Sequence, residues 1–335
     1  MFKQAIKAVP IPIAGVALGA ASLGRLLGTW SSIAYVLFGC LSALCLVCLG
    51  LRIILYPRSI RDDLENSIMA STSGTFFMAL MLLSTYLAPL VPVVAFVVWA
   101  IALGCHAVLI IWFSWYHIRH LELHKVFPSY FICYVGIIVG SVTSSTYGQQ
   151  VLGLGIFWFG FACYTVLFVV VTLRYAKHEV PEAARPLFCI YAAPMSLSIV
   201  GYLAAEPFPN EVFVCVMLIL AQFFWVVVVL QLGKLLRLRF YPSYAAMTFP
   251  FVISATALLH VRELFFGATL FDGVATLASV LDGLIVCETA FATIMVCYVF
   301  GHYVRFFYGS LKQPKPEPVK DEEAETAKFE EFFED

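Results

Sequence analysis

The chain has 335 residues, of which 62% are hydrophobic and 12% charged, with a net charge of −1. A soluble globular chain carries about 45–50% apolar and about 25% charged residues, so a fold of this size cannot hide so much apolar surface from water, and the excess must face lipid. With the loops assigned, no basic face remains, which excludes nucleic acid as a partner and makes the lipid bilayer the first one.

Lys3 and Lys7 precede an apolar run, the pattern of a signal peptide. The run continues to Leu27 and further apolar stretches follow, so it reads as a retained first span over 9–28. A span needs about 20 predominantly apolar residues. Nine more meet that measure: 30–56, 67–88, 91–116, 129–146, 151–175, 186–204, 211–233, 243–261 and 271–307. The last is longer than a bilayer requires, so it must tilt, break or extend into water. The expected fold is an all-α integral membrane protein of ten transmembrane helices over residues 1–308, followed by an acidic, disordered cytoplasmic tail over 309–335 that holds Pro314, Pro316 and Pro318.

The odd-numbered spans begin near Pro10, Ser67, Pro128, Pro186 and Pro242, in steps of 56–61 residues. This is a five-fold repeat of helical hairpins. Two starts also match in sequence, Phe127-Pro128-Ser129-Tyr130 and Tyr241-Pro242-Ser243-Tyr244. Of the 20 Lys and Arg residues, 18 fall on the termini or on loops that leave even spans, and the others are Arg25 and Arg262. Basic loops stay in the cytoplasm, which places both termini there.

The two kinds of span differ in chemistry. All six tryptophans (Trp30, Trp99, Trp112, Trp115, Trp158 and Trp225) lie on even spans, where bulky aromatics suit lipid contact and membrane interfaces. Odd spans carry the small residues, the hydroxyls and two interior prolines. Small residues let helices pack closely, and proline frees backbone carbonyls, which membranes tolerate where a helix lines protein or water. The odd spans are therefore expected to form an inner pore ring and the even spans an outer ring. The pore-lining candidates are Gly15, Gly19, Gly74, Gly140, Ser141, Pro194, Ser198, Thr248, Pro250 and Ser254.

No Asp or Glu lies on an odd span, and the one Lys or Arg there is Arg25, near an outer end. A neutral path lined by hydroxyls and backbone disfavours cations, which want rings of carboxylate, and admits anions. It also argues against a proton-coupled carrier, which needs an intramembrane carboxylate or His relay. Asp282 and Glu288 on the tenth span and His106 on the fourth are the ionisable exceptions. Asp282 and Glu288 are either functional or part of a buried helix lock, with Arg25 a candidate partner for Asp282; His106 reads as a packed, hydrogen-bonded residue. Cys45 and Cys48 are formally a C-x-x-C pair, read as small hydrophobes on an apolar helix, with no His or second Cys pair nearby for zinc. With no nucleophile–base pair or metal cluster in the spans, no enzyme activity, metal or cofactor is expected.

Residues 5–308 resemble the tellurite-resistance/dicarboxylate transporter family, which includes bacterial TehA, fungal malate permeases and the slow-type anion channels of plant guard cells. The resemblance is carried by the first-span pattern Pro12-Ile13-Ala14-Gly15-Val16-Ala17-Leu18-Gly19, by Phe127-Pro128-Ser129-Tyr130, and by Met247-Thr248-Phe249-Pro250. It implies a homotrimer in which each subunit has its own pore lined by the five odd helices. It also implies that Phe249, followed by Pro250, is the family's pore-occluding phenylalanine. The expected function is a passive, phenylalanine-gated channel for small inorganic or organic anions in the plasma membrane, a bacterial inner membrane. The alternative is a carrier of malate-like C4 dicarboxylates or an efflux system for tellurite or other toxic compounds.

Overall fold

The computed structural model describes residues 2–119, 121–267 and 276–312, and every regular element among them is a helix. The spans are α1 (Ile13–Gly28), α2 (Ser32–Leu55), α3 (Ser67–Leu87), α4 (Pro92–Ile118), α5 (Ser129–Tyr147), α6 (Gln150–Lys177), α7 (Glu182–Ala205), α8 (Glu211–Leu235), α9 (Pro242–Phe266) and α10 (Leu277–Gly309). Nine of these are long and apolar enough to cross a membrane, and α1, with 16 residues, is shorter. Pro10 and Pro12 are the reason: each lacks an N–H and fixes its own φ, so the chain turns through residue 12 before the helical ladder starts. At the other end, the helix that contains α10 runs unbroken over Thr276–Lys312. Its 37 residues measure about 55 Å, against about 30 Å of hydrocarbon, so it extends into water. The expected acidic tail lies outside the described residues from 313 onward, as do residues 271–275 of the expected tenth span.

Consecutive spans pack as five pairs, α1 with α2 through α9 with α10, and the odd spans also pack on one another in a closed ring in which α9 returns to α1. Burial separates the two layers. In the most apolar stretch of each span, 61–83% of residues are buried for α3, α5, α7 and α9, against 22–39% for the even spans. Nearly all of α1 is buried as well. The even helices turn Ile33, Val93, Val151 and Val212 outward, the surface that a bilayer covers. Trp30, Trp115 and Trp158 share that outward face, but Trp99 points inward and donates from Nε1 to Thr143 Oγ1 at 2.8 Å. An indole that finds a buried acceptor is as stable inside as at the interface.

Hydrogen bonds between neighbouring odd spans close the ring. Tyr86 donates to the Ala21 carbonyl at 2.6 Å, Ser71 to Ser129 Oγ at 2.8 Å and Ser141 to the Gly201 carbonyl at 2.8 Å. Ser243 donates to the Ala183 carbonyl at 2.5 Å, and Thr248 to the Gly15 carbonyl at 3.0 Å. Two glycines permit these approaches. A Cβ on Gly201 would lie 2.4 Å from Ile138, and one on Gly19 would lie 2.6 Å from both Cβ and Oγ1 of Thr248.

Four of the odd spans are interrupted, α1 is a single helix, and the even spans run through, α4 ending in a π-helical turn over Ser114–Ile118. Span α3 breaks at Ser73, α5 between Tyr134 and Ile138, α7 at Ala193 and α9 at Thr248. In α7 and α9 the segment before the break is a 3-10 helix, Glu182–Ala192 and Pro242–Met247. Pro194 and Pro250 then take the first turn of the following helix, where a missing N–H costs nothing. Broken backbone at membrane depth is tolerated only inside protein or beside a water-filled space, which is where the ring places it.

Candidate functional site

Two cavities lie inside the ring. The larger, about 440 Å³, opens where the odd spans begin, between Asn66, Pro181 and Ser243. Its wall includes Pro12, just before α1 begins, and a residue at or beside the break of each of the other four odd spans: Thr72, Gly136, Ala193 and Phe249. The smaller, about 180 Å³, lies toward the ends of the odd spans and is lined by Ser22, Arg25, Ser145, Thr256 and His260 among aliphatic side chains.

On each odd span, one of the residues that line the larger cavity is followed four positions later by one that lines the smaller. The pairs are Leu18 and Ser22, Met78 and Leu82, Val135 and Val139, Ala193 and Leu197, and Phe249 and Ile253. Residues at i and i+4 share a helix face, so the collar between the cavities is about one helical turn, or ~6 Å, thick. Its side chains are apolar except Ser22, and all are buried. Among the described residues, Phe249 alone lines both cavities.

The break in α9 sets the position of Phe249. Thr248 stands at φ −107° and ψ −83°, outside helical geometry, with its hydroxyl held by the carbonyls of Gly15 and Ala245. Phe249 is then the first residue of the helix Phe249–Phe266 and is 6% exposed. Phe251 points the other way, edge-on to Phe291 of α10 at 4.9 Å between ring centroids.

Gly15, Pro194, Phe249 and Pro250 line the larger cavity, and Arg25 lines the smaller. The other pore-lining candidates, Gly19, Gly74, Gly140, Ser141, Ser198, Thr248 and Ser254, line neither. Gly19, Ser141 and Thr248 hold the ring closed, as described above. Gly74 faces Ile132 and His106, and Gly140 faces Leu103 and Ile156. Ser198 donates back to the Pro194 carbonyl at 2.7 Å. Ser254 turns toward α8, 3.4 Å from Gln222. The collar is thus aliphatic where a hydroxyl lining was expected, because the hydroxyls satisfy backbone and packing partners first.

The proposed Arg25–Asp282 pair is replaced by another. Asp282 takes Arg262, with Nε to Oδ1 at 2.8 Å and both side chains within 1% of full burial. Arg262 also donates to the carbonyls of Phe266 and Gly267, fastening the end of α9 to α10. Arg25 instead donates to Thr85 of α3. Glu288 is buried against Ser254 and Gln222 without reaching either at hydrogen-bonding geometry. His106 is fully buried, and its Nε2 donates to the Cys133 carbonyl at 2.8 Å. Residue-level reading of the sequence overlooked His260, which lines the smaller cavity 2.9 Å from Glu263. Its signal was its place seven residues beyond Ile253, two helical turns along the same face.

A family model described as voltage-dependent anion channel matches residues 4–300. A search of curated proteins finds no match.

Proposed function

The chain belongs to the voltage-dependent anion channel family, and from that premise we propose that it is a passive channel for small anions gated by Phe249. Family and fold make it a multi-pass membrane protein that moves anions. The observation that carries the gate is that Phe249, alone among the described residues, lines both cavities, at the level of an apolar collar. A phenyl ring in an aliphatic collar blocks sterically and excludes water, the mode of hydrophobic gates. Displacing it joins the cavities without moving any backbone hydrogen bond, because Thr248 and Pro250 fix the helix start independently of the ring.

The larger cavity faces the cytoplasm in this reading, supported by the 18 Lys and Arg residues on that side, and both termini lie there in a plasma membrane. Three subunits, each with its own pore, form the assembly that the family resemblance implies. Light scattering on purified protein is expected to give three times the 37.2 kDa chain mass.

Anion flux into liposomes tests the mechanism. A potassium-diffusion voltage alone is expected to drive nitrate uptake, faster for Phe249→Ala. Uptake of a C4 dicarboxylate that strictly requires a proton gradient, with no response to voltage alone, overturns the channel in favour of a coupled carrier.

A further inference from the structure

The smaller cavity is lined by a cation, Arg25, that has no ion-pair partner among the described residues. Arg25 projects from the last turn of α1 and is fixed by one hydrogen bond, to Thr85. Among the described residues no carboxylate lies within ion-pair distance of it. Glu263, which does not line this cavity, is engaged by His260. A partly buried guanidinium calls for a compensating charge, and among the described residues none is supplied. Ser22 and Ser145 line the same cavity, and among the described residues neither hydroxyl donates a hydrogen bond. The cavity therefore offers one positive charge, unused guanidinium donors and two free hydroxyls, immediately above Phe249.

From this juxtaposition we infer that the Arg25 cavity is a binding site for a small monovalent oxyanion, such as nitrate or a short monocarboxylate. A guanidinium is a planar fork that matches a planar oxyanion with two parallel hydrogen bonds, which a halide cannot accept at once. One charge balances one charge. A dicarboxylate would leave its second charge unpaired among Leu203, Val200 and Ile253, where desolvation is costly. A volume of about 180 Å³ holds a nitrate with a few waters. The site collects the anion at the collar and discriminates before the gate does. This deepens the channel reading and rests on it for its effect on current, while binding itself is measurable without current.

The test uses the full chain in detergent and in bilayers. Thermal unfolding is followed against sodium nitrate, sodium chloride and sodium sulfate at constant ionic strength. Nitrate is expected to stabilise the wild type more than chloride does, and sulfate least. Arg25→Gln is expected to raise the half-saturating nitrate concentration about tenfold, the size of a lost charge-assisted hydrogen bond. Arg25→Lys is expected to keep a response to both anions and lose the preference for nitrate, since the fork is gone while the charge stays. Should Arg25→Gln fail to fold, the Arg25→Lys comparison carries the test. In the Phe249→Ala background, current driven by nitrate from the Arg25 side is expected to saturate, and Arg25→Gln to make it nearly linear. A nitrate response unchanged by both Arg25 substitutions overturns the site, while current through Phe249→Ala then leaves the channel standing. An Arg25-dependent nitrate response with no current in Phe249→Ala leaves the site standing and overturns the gate.

Discussion

Arg262 and Asp282 show how a buried charge acts at the scale of one residue. Their pair is almost fully buried, and the guanidinium also holds the last carbonyls of α9, so removing one partner strands the other in a dry interface. Asp282→Asn or Arg262→Met alone is expected to destabilise the protein by about 3–5 kcal/mol, while the double substitution Arg262→Met/Asp282→Leu recovers most of that loss. Thermal unfolding in detergent reads this, and additive losses in the double variant would contradict it. The sequence exposed Asp282 as an intramembrane acid in need of a partner. It did not expose which arginine, because α10 packs against both α9 and α1, and the choice depends on which arginine faces Asp282 along α10. Phe249 was singled out only by the family resemblance that Met247-Thr248-Phe249-Pro250 carries. Its neighbours in the collar were not, because Leu, Met and Val at i+4 spacing look the same in a pore wall as in any core.

Among the elements, the alternation of inner helices, four of them broken, with continuous outer ones is the feature that builds the site. The division into layers was readable from prolines, small residues and tryptophans. The breaks in α3 and α5 were not, since neither contains a proline at the interruption; closure of the ring forces them, and only tertiary contacts reveal that. Hydroxyls on odd spans were taken as lining, yet Ser141 and Thr248 fasten one helix to the next. Gly19 tests this reading. A methyl group there would sit 3.1 Å from the Phe249 backbone nitrogen as well as against Thr248, so Gly19→Ala is expected to cost about 1–3 kcal/mol and to shift the α9 break that carries the gate. Gly104→Ala and Gly155→Ala, where an added methyl meets nothing within 4 Å, are expected to be silent in both stability and current. Equal effects at all three positions would contradict the account of the ring.

At the scale of the whole molecule, five hairpins enclose two cavities and a dry partition one turn thick. An anion that crosses the partition must shed water against Leu, Val and Met side chains that return no hydrogen bonds, so ease of dehydration should rank permeation. Reversal potentials under bi-ionic conditions are expected to show iodide and nitrate more permeant than chloride, and a preference for a dicarboxylate over nitrate would contradict the apolar collar. The central claim, that one phenyl ring closes the path, is tested most directly by single-channel current from Phe249→Ala and Phe251→Ala side by side. The two rings are two residues apart on one helix, but only Phe249 faces the cavities, while Phe251 packs on Phe291. Phe249→Ala is expected to raise unitary anion conductance at least about tenfold with assembly intact, as removal of a hydrophobic constriction should, and Phe251→Ala to leave it at the wild-type level. Wild-type-like currents in both variants, or opening by Phe251→Ala alone, would contradict it.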